Sequence, residues 1–204
     1  MTDLITSRLI LHPLTVEEAT RIVGGIASSS DVWADGFPGE GDRDAARMTV
    51  KAAVAHYESR ADSNPESDLD PGPGAGSDPG SGARTGIGPG TGLAMPADPF
   101  TCYRIDCRRD HAAIGTIGFH GPPDFHRQVT IGYGLVPHSW GNGYATEAVR
   151  ALIELCRAHP GVRSVTADTG HDNYASQRVL TKSGFRLIRE DRDLLYYELR
   201  LDWP

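Results

Sequence analysis

A chain of 204 residues is long enough for one domain with a sizeable hydrophobic core, and its formal net charge is −7. No stretch approaches the roughly 18–20 apolar residues that cross a bilayer, and the first residues lack a basic start and an apolar run, so we expect no membrane segment and no signal peptide. The Lys and Arg residues are dispersed, without the aromatic and basic platform that binds nucleic acid. Three cysteines, an odd number without metal-ligand spacing, favour a reducing, cytoplasmic setting.

Residues 16–120 predict two helices and two strands. Thr15 and Glu18 have the spacing of a capping box, which predicts a helix over residues 16–27. The other predicted elements of this part are, in order, a Gly-, Asp- and Pro-containing loop at 31–42, a second helix at 43–60, and two strands at 100–108 and 112–120.

Residues 62–98 differ in composition from the rest of the chain. Of these 37 residues, 24 are Gly, Pro, Ser or Asp, and none is aromatic. Such a segment buries too little apolar surface to offset the entropy lost on ordering, so we predict a flexible insertion. It carries −5 of the net charge of −7, so the acidity says little about the partners of the folded part. The insertion is either a passive surface loop or a lid or docking arm.

A strand, a glycine-containing turn and a helix follow one another after residue 128. Residues 129–136 alternate as a strand does, and apolar residues recur at helical spacing from Ala145 onward. Gly141 and Gly143 lie in the turn between them. The first turn of a helix has free N–H groups and a partial positive charge, so this arrangement favours an anion, usually phosphate. Glycines also let a bulky diphosphate approach the backbone, whereas the alternative interpretation is a plain turn before a helix.

The C-terminal part predicts a strand, a short helix and two further strands. Residues 162–168 alternate as a strand, and Asp172 or Asn173 can cap a short helix that Gly184 terminates. The last two strands are predicted at 185–189 and 195–201. These elements together predict a mixed α/β fold in which a central sheet carries helices on both faces.

The order of these elements, with four motifs along it, resembles the GNAT acetyltransferase superfamily. The turn His138-Ser139-Trp140-Gly141-Asn142-Gly143 is similar to the superfamily pattern Gln/Arg-x-x-Gly-x-Gly/Ala, from which His138 departs. The following Tyr144-Ala145-Thr146-Glu147-Ala148 is typical of the RimJ/RimL-like branch, the ribosomal-protein alanine acetyltransferases, and the opening run from Thr6 to Leu14 is similar to the first strand of that branch. Asn173-x-x-Ser176 and Gly184-Phe185 complete the order. The resemblance covers about residues 4–60 and 99–203 and implies one GNAT domain over 1–204, with the insertion at 62–98.

The resemblance implies acetyl-CoA as co-substrate, and the spacing of His and Cys residues predicts no metal. The residues that would hold the diphosphate through backbone N–H groups are Gly141, Asn142, Gly143, Tyr144 and Ala145. Leu135 and Val136 would pair with the pantetheine amides as an added strand does, and Asn173 and Ser176 would contact the pantetheine arm. Arg178 either reaches a phosphate or is solvated.

Acyl transfer requires a proton for the departing thiolate and a base for the attacking amine. Many members of the superfamily carry Tyr seven residues after the motif Asn, a place that Leu180 occupies here. Ser176 or a water is therefore the candidate proton donor. The base candidates are His120, Asp124 and Glu147, and we place His120 first because a histidine titrates near neutral pH. A solvent-facing turn histidine is the alternative for His120, and a helix-dipole role the alternative for Glu147.

The sequence thus predicts an N-acyltransferase that moves an acetyl group from acetyl-CoA to a primary amine by direct attack in a ternary complex. The alternative is a catalytically weak or inactive CoA-binding regulatory module. The acceptor is a protein N-terminus or a small-molecule amine, and the acidic residues Glu40 and Asp42 would suit a cationic one. The sequence leaves open succinyl-CoA as donor and the choice between monomer and homodimer.

Overall fold

Eight strands form one sheet in the computed structural model, which describes residues 2–61 and 99–201. The predicted insertion at 62–98 lies outside the described residues. The strands are β1 (Leu4–Ile5), β2 (Leu9–Pro13), β3 (Cys102–Cys107), β4 (Ala113–Phe119), β5 (Gln128–Leu135), β6 (Ser164–Gly170), β7 (Arg186–Glu190) and β8 (Leu194–Arg200). Their order in the sheet is β1-β2-β3-β4-β5-β6-β8-β7, and all neighbours are antiparallel except β5 and β6.

The predicted helices are confirmed, with two shifted ends. They are α1 (Val16–Gly24), α2 (Glu40–Ala61), α3 (Tyr144–Ala158) and α4 (Tyr174–Lys182). The predicted capping box is present, but α1 ends at Gly24 rather than at residue 27, because Gly25 adopts the left-handed conformation at φ 67°. Helix α2 begins at Glu40 rather than at residue 43. The Asp42 carboxylate accepts the Gly39 N–H at 2.9 Å and so stabilises the added turn.

The two faces of the sheet carry different helices. On one face, Asp42 of α2 accepts a hydrogen bond from Thr116 of β4 at 2.7 Å. On the other face, Phe119 of β4 packs edge-on against Phe100, which contacts the ring of His159 at the end of α3. Fully buried aliphatic side chains fill the core between these layers, and truncation of one such side chain costs about 2–5 kcal/mol. None of the helices within residues 2–61 and 99–201 is long and apolar enough to cross a membrane.

Strands β5 and β6 diverge, and this divergence creates the main cleft. They pair only from Gln128↔Ser164 to Thr130↔Thr166, after which β5 continues beside β4 and β6 beside β8. The Val136 N–H donates to the Ile114 carbonyl at 2.9 Å, so even-numbered residues of β5 make the ladder with β4. In an antiparallel ladder the intervening residues point their backbone groups away, and those of Tyr133 and Leu135 therefore face the gap.

Candidate active site

The gap between β5 and β6 opens into a cleft of about 1030 Å³. Its walls come from β5, from the ends of α3 and α4 and from the loops beside them, and include Tyr133, Leu135, Trp140, Ala145, Asn173 and Ser176. The structure thus brings together residues from three separate motifs of the sequence. The Trp140 indole N–H donates to the Leu135 carbonyl at 2.7 Å, so one of the backbone groups that faces the gap has a protein partner here.

The predicted anion-binding turn leads directly from this cleft. Gly141 and Gly143 adopt left-handed conformations at φ 76° and 79°, which favour glycine. Gly143 is the N-cap of α3 and supplies no side-chain cap, and the Glu147 N–H makes its intrahelical bond to the Gly143 carbonyl. The N–H groups of the first helical turn before Glu147 therefore lack intrahelical acceptors. A side chain added at Gly141 would meet no described atom within 4 Å, so the turn is open to a bulky anion.

Helix α4 presents the Asn-x-x-Ser motif to the same cleft. The Asn173 side-chain oxygen accepts the Ser176 N–H at 3.0 Å and caps the helix. The Ser176 hydroxyl lies 2.9 Å from the hydroxyl of Tyr133, which reaches it from β5. Leu180, in the place of the superfamily tyrosine, is fully buried in the core.

Tyr133 is a site residue that the sequence analysis missed. It is an aromatic side chain between Gly132 and Gly134 on β5, and that contrast in size was the available signal. Burial raises the pKa of Tyr133 to about 12, although the hydrogen bond with Ser176 opposes the rise. Its hydroxyl is thus protonated at neutral pH and can donate.

A second, smaller cavity of about 200 Å³ lies against the same stretch of β5. Its lining includes Met48 of α2, Thr116 of β4, His120, and the glycines Gly132 and Gly134 of β5. Tyr133 lines both this cavity and the larger cleft. The segment 132–134 of β5 is therefore a thin wall between two cavities.

Of the base candidates, His120 alone lines one of these two cavities. A Cβ atom built on Gly132 would lie 3.0 Å from its Nε2, so the imidazole rests on the glycine backbone. Asp124 instead accepts the N–H groups of His126 and Gln128, at 2.8 and 2.9 Å, and holds the loop between β4 and β5.

The Glu147 carboxylate is occupied by hydrogen bonds within the protein, and we no longer consider it a base candidate. Its carboxylate accepts hydrogen bonds from the hydroxyls of Thr6 and Ser7 and from the backbone and guanidinium of Arg8. Burial opposes ionisation, but these hydrogen bonds outweigh it and lower the pKa of Glu147 to about 2. So acidic a group is a poor proton acceptor near neutral pH.

Neither Glu40 nor Asp42, the acidic residues that the sequence suggested for a cationic acceptor, lines the smaller cavity. Asp42 is buried, and both of its carboxylate oxygens accept hydrogen bonds, from Gly39 and Thr116. Asp44 of α2 lines the cavity instead. Among residues 2–61 and 99–201, no three His, Cys, Asp or Glu residues cluster as they would around a metal ion.

Comparison with known proteins shows similarity to N-acetyltransferases. The family model for the acetyltransferase (GNAT) domain matches residues 91–186. An uncharacterized N-acetyltransferase of Bacillus subtilis, YoaA, is 38% identical over 92 residues, which are 45% of this chain and 52% of that protein. A second from the same organism, YjdG, is 33% identical over 98 residues, which are 48% of this chain and 58% of that protein. The chain spans about half the length of the curated relatives it matches.

Solved structures match over nearly the whole length. RimL, a ribosomal L7/L12 α-N-protein acetyltransferase in complex with coenzyme A, superposes with a TM-score of 0.59 at 14% identity, covering 98% of this chain and 99% of that one. The ribosomal-protein-S5-alanine acetyltransferase of Vibrio fischeri gives 0.59 at 14% identity, covering 99% and 98%. At such low identity these matches establish the fold, which is the predicted GNAT fold. The fold and the order of the elements agree with the match of residues 91–186 to the acetyltransferase (GNAT) domain.

Proposed function

We propose that the protein transfers an acetyl group from acetyl-CoA to a primary amine by direct attack in a ternary complex. One observation carries the proposal: the wall formed by residues 132–134 of β5 separates a large cleft from a small cavity. The large cleft leads to the uncapped turn at Gly141 and Gly143 and suits CoA. The small cavity suits the acceptor amine, so the two substrates meet at the strand.

The donor would be held mostly by backbone groups. The N–H groups of residues 141–145 would bind the diphosphate, and pantetheine would add to the free edge of β5 as an extra strand does. Because the Val136 N–H donates to Ile114 within the sheet, we assign the pantetheine contacts to Leu135 and Tyr133 instead. Pantetheine would compete with the Trp140 indole for the Leu135 carbonyl. Asn173 would contribute chiefly by capping α4 and so placing Ser176.

The chemistry follows from the groups around the wall. The amine attacks the thioester carbonyl, the new C–N bond forms, and the N–H of Tyr133 stabilises the oxyanion. The C–S bond then breaks, and Ser176 gives its proton to the thiolate while it accepts one from the Tyr133 hydroxyl. His120, in the acceptor cavity, takes the proton from the amine. Tyr133 regains a proton from solvent, and His120 releases to solvent the one it took from the amine. An α-amine with a pKa near 8 needs less help from the base than a lysine with a pKa near 10.4.

The acceptor class and the setting are further parts of the proposal. The small size of the acceptor cavity favours a protein N-terminus or a small amine over a bulky substrate, and the RimL-like fold supports a RimJ/RimL-like acceptor. The three cysteines are buried and free, which supports a reducing, cytoplasmic setting. We propose a monomer or a homodimer.

Turnover of acetyl-CoA against a panel of amines, followed by detection of free thiol, tests the proposal. The panel includes peptides with small N-terminal residues, polyamines and amino-acid derivatives. Thiol release that depends on one class of amine supports the transferase and identifies its acceptor. CoA binding without turnover on any amine supports the regulatory module instead, which the loss of a tyrosine at Leu180 favours.

A further inference from the structure

Arg8 and Glu147 form an ion pair that joins the N-terminal segment to the first turn of α3. The Arg8 Nη2 and Nε atoms both lie 2.7 Å from the Glu147 carboxylate, and the Arg8 backbone N–H donates to it at 2.8 Å. The hydroxyls of Thr6 and Ser7 donate to the same carboxylate at 2.6 and 2.9 Å. A single carboxylate thus fixes three consecutive residues that are far away in sequence.

The same guanidinium also reaches the glycine turn. Its Nη1 atom donates to the Asn142 carbonyl at 2.9 Å, and its carbon lies 4.7 Å from the centre of the Tyr144 ring. Its Nη2 atom is 3.6 Å from the point where a Cβ on Gly143 would stand. One rigid, planar group therefore spans the turn from Asn142 to Glu147.

We infer that Arg8 and Glu147 are positioning residues for the CoA diphosphate, which hold the turn at 141–145 in its binding conformation without being its principal ligands. Glycine makes this turn open to phosphate, but it also leaves the turn flexible. A contact that holds the N–H groups in place before the ligand arrives reduces the entropy lost on binding. The inference rests on the proposed function, because it assumes that the turn binds the diphosphate of CoA.

The charges support a positioning role over a direct phosphate contact. Glu147 places a negative charge in the turn that would receive the diphosphate, and Arg8 neutralises it. N–H groups of the guanidinium already donate hydrogen bonds to Glu147 and Asn142. Removal of the Glu147 charge would free Arg8 for phosphate if the contact were direct, and would loosen the turn if Arg8 acts by positioning. The two roles thus predict opposite changes in CoA affinity.

Titration calorimetry of Glu147→Gln and Arg8→Lys with CoA, and with pantetheine as a probe without diphosphate, tests the inference. We expect each variant to bind CoA at least about fivefold more weakly while pantetheine binding stays unchanged, because the lost hydrogen bonds act on the turn alone. Amide hydrogen exchange of residues 142–146 in the ligand-free variants should be faster. Glu154→Gln and Arg157→Ala, which break an exposed pair further along α3, are matched controls and should leave all three measurements unchanged.

Tighter or unchanged CoA binding by Glu147→Gln, or full affinity in Arg8→Lys, would overturn the inference. Circular dichroism and melting temperature identify a variant that has not folded. If Glu147→Gln does not fold, the exchange comparison uses Arg8→Lys, which keeps the charge. Wild-type protein that fails to bind CoA would reject the proposed function itself and this inference with it. Normal CoA binding by the wild type together with unchanged exchange in both variants would reject the inference alone.

Discussion

The hydroxyls of Tyr133 and Ser176 lie 2.9 Å apart and join β5 to α4 across the gap between the divergent strands. The Tyr133 hydroxyl also lies 3.3 Å from the Ser176 carbonyl, to which it can donate. Burial holds the pKa of Tyr133 at about 12 against the effect of its hydrogen bond with Ser176, so this phenol keeps its proton at neutral pH. A serine with a protonated phenol behind it can pass a proton into the cleft and be reprotonated at once.

Ser176→Ala should therefore lower kcat more than it raises the KM for acetyl-CoA. A proton donor acts mainly in the transition state, and its loss reduces kcat by about a hundredfold where it is the principal acid. Steady-state kinetics at saturating amine give both constants. A change in KM alone would show that Ser176 only binds the cofactor, and no change in either would mean that water protonates the thiolate.

Tyr133→Phe tests the contribution of the Tyr133 hydroxyl apart from that of Ser176. The ring and its packing remain, but the hydroxyl that contacts Ser176 is lost. We expect a smaller fall in kcat than in Ser176→Ala, of about tenfold, and no further fall when both changes are combined, because the two hydroxyls act in one chain. Additive losses in the double variant would show that the two hydroxyls act independently.

Gly143→Val tests the diphosphate site. Gly143 has a φ of 79°, which a β-branched residue tolerates poorly, and its new side chain would project beside the first turn of α3. We expect CoA binding to weaken by at least about tenfold, or 1.4 kcal/mol, in a folded protein. Gly121→Val is a suitable control, because Gly121 lies in the loop after β4 with no described atom within 4 Å of an added Cβ. Unchanged CoA affinity in folded Gly143→Val would show that the diphosphate does not bind at this turn.

Gly132→Ala tests the placement of His120. The added methyl group would lie 3.0 Å from Nε2, so the imidazole must move by a few tenths of an ångström. If His120 is the base, kcat/KM for the amine should fall by up to about tenfold, because proton transfer depends on distance, while the Kd for CoA stays the same. A loss in CoA affinity alone would instead mean that Gly132 contributes to binding of CoA and not to the position of His120.

The sequence predicted the elements and the family more fully than the contacts within the site. Strand alternation, the capping box at Thr15 and the glycine turn depend on neighbours in the chain, so each was visible locally. The Tyr133–Ser176 contact crosses the gap where β5 and β6 part and joins residues 43 apart in sequence, so the glycines beside Tyr133 mark the residue locally but not its partner. Glu147 had the spacing of a first-turn acid, and its partners lie 139 to 141 residues away.

Glu147 should also make stability depend on pH in the acidic range. Its pKa is lowered from the usual 4.5 to about 2 by the hydrogen bonds of Thr6, Arg8 and Ser7, which outweigh the opposing effect of burial. A carboxylate whose pKa is depressed in the folded state contributes stability above its unfolded pKa, and this contribution is lost as pH falls through the folded pKa. The free energy of unfolding of the wild type should therefore decrease between about pH 4.5 and pH 2.

Glu147→Gln should be less stable than the wild type at pH 7, and its free energy of unfolding should fall less over that interval. Glu154→Gln, which breaks an exposed pair on the same helix, should follow the wild type. Urea unfolding at intervals between pH 7 and pH 2 measures the three curves. Parallel curves for the wild type and Glu147→Gln would show that the carboxylate is not selectively stabilised in the folded protein.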